Sequence, residues 1–248
     1  MPSFARICVV VACLVGSSGI AAADDYPIAV VDRPLTLPGG MLQAYAAGTL
    51  GYDSPTSTTL EGLELGGDYG IAPKLQAGAF VDLLVSPSSQ LDRAFGTVQY
   101  QLLAFAALRI DLGAQRVGNG DTYAAFGVGL PLRLKLTDTV ALISSRPWAW
   151  GEEDDIFQAR TDASSWISEV HVPAGLLWQV APRVALVARG GYTHQGSAGF
   201  VPLGVDAVLA VDRLDVGITF DVAGQIAPSN GTGYFDDVRG RLFLQLRL

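Results

Sequence analysis

Hydrophobic and polar residues alternate in short runs along the chain from about Gly40 to Leu248. In the run 214–222, Leu, Val, Ile, Phe and Val occupy every second position, and Asp, Gly, Thr and Asp stand between them. A β-strand directs successive side chains to opposite faces, so this run has one aliphatic face and one polar face. Turn residues separate the runs at intervals of roughly ten to fifteen positions, which is typical of antiparallel strands.

The alternation predicts about twelve strands, an even number that returns both ends of the sheet to one side. The expected strands are 41–52, 58–71, 75–86, 93–104, 107–117, 121–134, 139–146, 164–179, 184–194, 199–210, 214–225 and 233–248. A single strand with one aliphatic face fits a soluble exported β-sandwich as well as a membrane barrel. Other parts of the sequence favour the barrel.

Residues 1–23 have the features of a cleaved secretory signal peptide. Arg6 is basic, residues 7–15 are apolar, and small residues at 21–23 precede Asp24. A lipoprotein cleavage site at Cys13 is an alternative for the same region, although the apolar run before it is short. No later segment has about 18 unbroken apolar residues, which disfavours a helical membrane protein. Any membrane span of this exported chain is therefore a β-barrel.

Composition narrows the function further. Half of the residues are hydrophobic and 16% are charged, which fits an apolar outer belt around a packed interior. The chain has 24 Asp and Glu against 16 Lys and Arg, and nucleic-acid binding needs a basic surface. Both cysteines, Cys8 and Cys13, lie in the signal peptide, and the whole chain has two histidines. We therefore expect no disulfide, no metal site and no cofactor.

The region between the signal peptide and the first strand, residues 24–40, contains Pro27, Pro34 and Pro38. Because proline interrupts regular structure, we expect an extended periplasmic lead-in there, followed by the transmembrane β-barrel in residues 41–248. The links between strands alternate in length. The short links are 72–74, 105–106, 136–138, 181–183 and 212–213, and the longer ones include 86–91, 146–164, 195–199 and 227–231. Short periplasmic turns and longer external loops are an asymmetry of outer-membrane barrels.

Two short motifs carry a resemblance. The segment 69–78, YGIAPKLQAG, resembles the recurring hairpin of small outer-membrane transporter-like families, including one associated with aromatic-degradation pathways. The segment 31–40, VDRPLTLPGG, is similar to the lead-in of some of these proteins. The last strand alternates leucines up to Leu248 and resembles the carboxy-terminal signal of such barrels, although an aromatic residue is usual at its end. The resemblance implies a Gram-negative outer-membrane β-barrel, inserted by the barrel-insertion machinery through this strand and surrounded by outer-membrane lipid.

Charged residues on the polar faces identify candidate pore-lining positions, because charge is costly on a lipid face. A lumen with charges of both signs fits a passive, porin-like channel for small solutes or ions, but pairing across the lumen would close it. Glycines on the same faces favour an opening, or mark bends that let the sheet close. The expected pore-lining residues are Glu64, Asp68, Asp82, Arg109, Asp111, Arg133, Glu169, His171, Arg189, Asp206, Asp215, Asp221, Arg239 and Arg241.

Aromatic residues on the aliphatic faces near strand ends are expected at the membrane interfaces, where amphipathic rings prefer the headgroup level. They are Tyr69, Tyr100, Trp178 and Tyr192.

The sequence offers no convincing catalytic centre. His194 and Ser197 resemble the His-x-Ser element of outer-membrane lipid hydrolases, but they are three positions apart and therefore face opposite sides of a regular strand. We thus expect a non-enzymatic outer-membrane barrel that conducts small solutes. A non-conducting structural or surface-interaction barrel and an outer-membrane lipid hydrolase remain the alternatives.

Overall fold

The structure, a computed structural model, describes residues 26–53, 58–87, 89–116, 121–144, 155–162, 165–195, 198–225 and 237–248 of the chain. Within these ranges it contains fourteen antiparallel strands and a short 3-10 helix, Val30–Asp32. None of the described residues forms a helix long and apolar enough to cross a membrane. The strands are β1 (Leu42–Asp53), β2 (Thr58–Ala72), β3 (Leu75–Ser86), β4 (Gln90–Leu103), β5 (Ala106–Arg116), β6 (Thr122–Gly129), β7 (Arg133–Lys135), β8 (Val140–Ile143), β9 (Asp155–Asp162), β10 (Ser165–Ala181), β11 (Val184–Gln195), β12 (Ala198–Val211), β13 (Leu214–Gln225) and β14 (Asp237–Arg247).

The strand pairings form a ring. β14 pairs with β1, and the pairing continues in chain order from β1 to β6. β6 pairs with β9, β9 with β10, and β10 with β11. From β11 the pairing passes through β12 and β13 back to β14. The predicted antiparallel, up-and-down β-barrel is therefore confirmed.

Two positions in the wall are each filled by two strands. β7 continues β6 beside β5, because the bridge between Ala106 and Leu132 keeps the register of the β5–β6 pairs. β9 and β8 both pair with β10, β9 along residues 165–170 and β8 along residues 175–178. The fourteen strands, two pairs of which share a position, thus occupy twelve positions around the barrel. This agrees with the predicted number of about twelve.

The expected long loop 146–164 is partly wrong, because residues 155–162 form β9. β8 is only four residues long and pairs with residues 175–178 of β10, so it leaves residues 165–170 of β10 without a partner on that side. An unpaired strand edge inside a membrane would expose backbone N–H and C=O groups to lipid, and β9 removes that edge. The intervening residues 145–154 lie outside the described residues, as does the predicted signal peptide 1–23.

The two faces of the wall differ in exposure as the alternation predicted. On the outer face, Leu112, Ile218 and Leu242 are 63%, 59% and 60% exposed. Their inward-facing neighbours Asp111 and Phe243 are each 1% exposed. A soluble sandwich would bury its aliphatic face, so an aliphatic outer surface identifies a membrane barrel.

The two ends of the barrel are distinguished by their links. We call the end with the tight links 73–74, 104–105, 182–183 and 212–213 the turn end, and the opposite end the loop end. In outer-membrane barrels the short turns face the periplasm.

Residues 26–41, here called the N-terminal segment, pack inside the barrel at the turn end. Val30, Val31 and Met41 are at most 2% exposed. The backbone reverses at Gly40, whose φ of +87° favours glycine, and then enters β1. Gly70 of β2 lies against the carbonyl of Pro38, and any side chain at Gly70 would overlap it. The sequence predicted a lead-in before the barrel, and the structure adds that it fills one end of the lumen.

Candidate functional site in the barrel lumen

Three layers fill the lumen between the turn end and the loop end. The order is visible along β14, whose inward-facing residues run from Arg247 and Gln245 through Phe243 to Arg241 and Arg239. The first layer is the N-terminal segment with its polar contacts, the second is an aromatic layer, and the third is a charged cleft.

The first layer is organised around the carboxylate of Asp215 on β13. Arg33 of the N-terminal segment donates to it twice, from Nη1 at 2.6 Å and from Nη2 at 2.9 Å. Arg247 of β14 donates to both oxygens of the same carboxylate, and Gln245 Nε2 lies 3.3 Å from Oδ2. The side chains of Asp215, Arg33 and Arg247 are at most 1% exposed. Bidentate pairs of this kind are among the strongest hydrogen bonds, and breaking one leaves a buried charge uncompensated.

Tyr26 covers this ion-pair cluster. The guanidinium carbon of Arg33 lies 5.7 Å from the centre of its ring, and that of Arg247 lies 5.5 Å from it. These distances fit cation–π contacts. Burial raises the pKa of the Tyr26 phenol above its ordinary value, and the nearby arginines oppose part of that rise. Tyr26 is therefore neutral beside two paired cations.

The wall also holds the backbone of the N-terminal segment. Gln179 of β10 accepts from the N–H of Val31 at 3.3 Å, and Gln76 of β3 accepts from the N–H of Leu37 at 2.7 Å. Gln99 of β4 donates to the carbonyl of Leu35. In addition, Arg133 of β7 donates to the carbonyls of Val30, at 3.1 Å, and Arg33. These bonds satisfy buried backbone groups that have no sheet partner.

The second layer is apolar. The rings of Phe80 and Phe95 stack with centroids 5.4 Å apart, and Tyr45 lies 6.2 Å from Phe243. Inward-facing glycines make room for these rings rather than for an open passage. A side chain at Gly217 would overlap the ring of Phe243, and one at Gly66 would lie 2.9 Å from Cβ of Phe80. The expectation that small residues open the lumen is therefore wrong for this layer.

The third layer is a charged cleft of about 160 Å³ at the loop end. Acidic residues line it from β2, β3 and β4, and arginines line it from β14 and β4. Glycines of β1 and β2 make room in this cleft, as the sequence suggested. The charged lining residues are Glu61, Glu64, Asp82, Asp92, Arg93, Arg239 and Arg241.

Ion pairs connect these charges. Arg93 Nε donates to Asp82 Oδ2 at 2.6 Å, and a nitrogen of Arg241 lies 3.7 Å from Glu64. A register shift between β3 and β4 leaves Asp92 as an extra residue beside Arg93, so both line the cleft. The sequence analysis missed Glu61, Asp92 and Arg93. Glu61 and Asp92 lie at shifts of strand register, which break the alternation on which it depended, whereas Arg93 keeps the inward phase of Phe95 and Thr97.

Two further ion-pair clusters lie elsewhere on the inner wall. Arg109 Nε donates to Asp111 Oδ2 at 2.6 Å within β5. Arg189 of β11 donates twice to Asp206 of β12, at 2.7 Å each, and also contacts Asp221 of β13. In these two clusters, charges of opposite sign are neighbours on the same strand or on strands one or two positions apart in the wall.

The structure places the predicted pore-lining side chains as follows. Nine are at most 9% exposed: Glu64, Asp68, Asp82, Arg109, Asp111, His171, Asp206, Asp215 and Arg241. Arg133, Arg189, Asp221 and Arg239 are partly buried, and the side chain of Glu169 lies outside the described residues. His171 Nδ1 is 2.5 Å from Thr193 Oγ1 on the neighbouring strand. The lining of a conducting pore by these residues stays a prediction.

The predicted interface aromatics lie on the outer face. Tyr69, Tyr100, Trp178 and Tyr192 are 41–52% exposed, with the first three near the turn end and Tyr192 near the loop end. His194, the candidate catalytic base, is exposed and stacks with Tyr192 at 6.5 Å. Its expected partner Ser197 lies outside the described residues. Nothing in the described geometry adds support for a hydrolase.

The sequence analysis also missed the ion-pair cluster around Asp215, because it assigned Arg33 to a periplasmic lead-in that precedes the barrel. Two signals were present. Residues 28–31, IAVV, are apolar beside an arginine, and inward positions near three turns are glutamines rather than charges or glycines. Glutamine is suited to binding an extra backbone, because its amide both donates and accepts hydrogen bonds.

No protein-family model matches this sequence, and no curated protein sequence matches it significantly. The structure is similar to that of the NanC porin, with 11% identity, a TM-score of 0.53, and coverage of 83% of this chain and 100% of that chain. It is also similar to the KdgM porin in complex with disordered oligogalacturonate, with 8% identity, a TM-score of 0.53, and coverage of 82% and 98%. For the beta domain of the Bordetella autotransporter BrkA, the identity is 14%, the TM-score is 0.51, and the coverage is 85% and 100%. At these identities the similarity concerns the fold, and the fold is that of the bacterial outer-membrane β-barrels.

Proposed function

We propose that this protein is a passive, porin-like channel for small solutes or ions in the bacterial outer membrane. The observation that carries the proposal is the charged cleft at the loop end, inside a closed wall whose outer face is aliphatic. Lipid surrounds such a wall, so a hydrophilic route across the membrane has to run through the interior of the barrel, where the cleft lies. Insertion by the barrel-insertion machinery through β14 is part of this proposal.

In the conformation described here the turn end is filled. The N-terminal segment and the aromatic layer both lie between the cleft and the turn end. Conduction therefore requires the segment to leave its position beside Asp215. It also requires the aromatic side chains, which form one core cluster with Val30 and Val31 of the segment, to rearrange once the segment has left. Because the barrel wall is closed by strand pairing without this segment, its departure leaves the wall intact.

The same layers favour a second candidate function, a non-conducting structural or surface-interaction barrel. Its expected sign is a lumen closed by arginine–carboxylate pairs, and the pair between Arg33 and Asp215 is fully buried. One experiment separates the two functions.

The mature chain, starting at Asp24, is refolded into lipid, and single-channel currents are recorded across a planar bilayer. Heat-modifiable gel migration verifies that the barrel is folded. We expect rare discrete steps for the unmodified chain and a larger open fraction for Arg33→Met, which loses both bonds to Asp215. Absence of steps from both folded proteins would establish the non-conducting barrel.

Ion selectivity tests whether the cleft is on the conduction path. Arg239→Gln removes a positive charge from the cleft, so selectivity should move toward cations. The matched control is Lys74→Gln, which removes a positive charge from an exposed turn residue at the other end of the barrel. Equal selectivity of the two variants would place the cleft off the path.

A further inference from the structure

We infer that the turn end of the lumen is a binding site for a short peptide that presents an arginine, and that the N-terminal segment is its resident occupant. The inference rests on the proposed function only for its effect on conduction. Binding itself follows from three features of the wall.

The first feature is recognition of the backbone. Gln76, Gln99, Gln179 and Arg133 come from four different strands and bind main-chain N–H and C=O groups of the segment. Contacts to main-chain groups do not depend on the side chains of the bound residues. The wall is therefore complementary to the main chain of a short irregular segment, which here includes the 3-10 helix Val30–Asp32.

The second feature is that the wall itself holds two of these glutamines in position. Gln179 Nε2 donates to the carbonyls of Ala181 and Val184, at 2.7 and 3.2 Å. Gln76 Nε2 donates to Asp68 Oδ2 at 3.2 Å. These bonds fix the side-chain oxygens that accept from the segment. A preorganised site loses less conformational entropy on binding, so it should remain competent when the segment is absent.

The third feature selects the side chain. Both terminal nitrogens of Arg33 meet the two oxygens of Asp215, and Arg33 Nε donates to the carbonyl of Pro27 at 3.1 Å. A planar guanidinium fits this arrangement, whereas a lysine ammonium presents only a point charge. Val30 and Val31, at 1% and 2% exposure, anchor the same stretch in the apolar core. The ligand class is therefore a short peptide with aliphatic residues shortly before an arginine.

The test separates the occupant from its site while keeping the full chain. The host protein carries Val31→Asp and Arg33→Met, which place an unpaired carboxylate in the core and remove the guanidinium. A third change, Thr36→Cys, supplies a single thiol, because the chain has no cysteine after the predicted signal peptide. Thr36 is 1% exposed when the segment is docked, so fast maleimide labelling shows that the attached segment has left.

The probe is a fluorescent synthetic peptide with the sequence of residues 26–41, and binding is followed by fluorescence anisotropy in detergent. We expect saturable binding, weaker by tenfold or more when the peptide carries methionine or lysine in place of arginine. Adding Asp215→Asn to the host should cause a similar loss. The matched control is Asp111→Asn, a carboxylate at 1% exposure that pairs with Arg109, and it should leave peptide binding unchanged.

Equal affinity for the arginine and methionine peptides would overturn the inference. So would the absence of binding to a folded host whose introduced thiol at position 36 labels fast. The assay needs no current through the barrel. A host that binds the peptide but never conducts would therefore refute the proposed channel and leave the peptide site standing. A host that conducts but does not bind the peptide would refute the peptide site and support the channel.

Discussion

Replacing Asp215 by Asn in the otherwise intact chain should release the N-terminal segment while the barrel stays folded. The carboxylate of Asp215 accepts hydrogen bonds from both terminal nitrogens of Arg33, from both terminal nitrogens of Arg247 and from the amide of Gln245. An asparagine keeps one acceptor oxygen and turns an N–H₂ group toward the cations. Two buried guanidiniums then lose their only described carboxylate partner. Strand pairing around the ring does not involve this side chain.

The expected magnitude follows from burial. Removing one partner of a fully buried ion pair costs about 3 to 5 kcal/mol. The carbonyls of Pro27 and Ile28, which also accept from Arg33, place the effect toward the lower end. A loss of about 3 kcal/mol raises the undocked fraction by about two orders of magnitude.

The assay is the maleimide labelling rate of a single cysteine introduced by Thr36→Cys, at a position that is 1% exposed. Asp215→Asn should accelerate labelling about a hundredfold or more, with unchanged heat-modifiable migration. Asp111→Asn, with an equally buried carboxylate, should leave the rate unchanged. If Asp215→Asn labels no faster than the unmodified chain, the reasoning about the buried pair is refuted.

Three further predictions use the same folded protein. Gly217→Val places methyl groups where the ring of Phe243 lies. The overpacking should destabilise the folded barrel by about 1 to 3 kcal/mol and so lower its thermal midpoint. An unchanged midpoint would show that the aromatic layer is loosely packed. Gly70→Ala would push against the Pro38 carbonyl and should speed labelling of the thiol introduced at position 36, and an unchanged rate would contradict the close approach. Burial raises the pKa of the Tyr26 phenol in the docked segment above that in the released segment. Above about pH 10 the phenol of the released segment loses its proton while that of the docked segment keeps it, so docking should be constant below pH 10 and weaken above it. Labelling corrected for thiol ionisation should accelerate above pH 10, and Tyr26→Phe should remove that acceleration.

The strand alternation made much of the fold predictable. In the run 214–222 each side chain is assigned to a face by its immediate neighbours, and the structure places Asp215 inside and Ile218 outside as expected. Such assignments need only local periodicity, because a strand alternates with a period of two. The same reasoning failed at Asp92, because the bulge beside Asp82 inserts this one residue before Arg93 resumes the inward phase of Phe95 and Thr97.

Prediction of the lumen had a different limit. The sequence identified Asp215 as an inward-facing charge, but Arg33 stands 182 positions away in a stretch with no strand periodicity. Its prolines indicated only that the stretch is irregular. Likewise, Gly217 was correctly expected on the inner face, but whether its space is open depends on Phe243 of the next strand.

The sequence by itself therefore determined the antiparallel strands, the aliphatic outer face and the inward position of most charged residues, because these are properties of neighbouring positions. Only the tertiary structure decided which charges pair, where β9 completes the wall, and that residues 26–41 occupy the turn end. Those outcomes depend on the register of strands around a closed ring and on contacts between residues far apart in the chain, and no local pattern encodes either one.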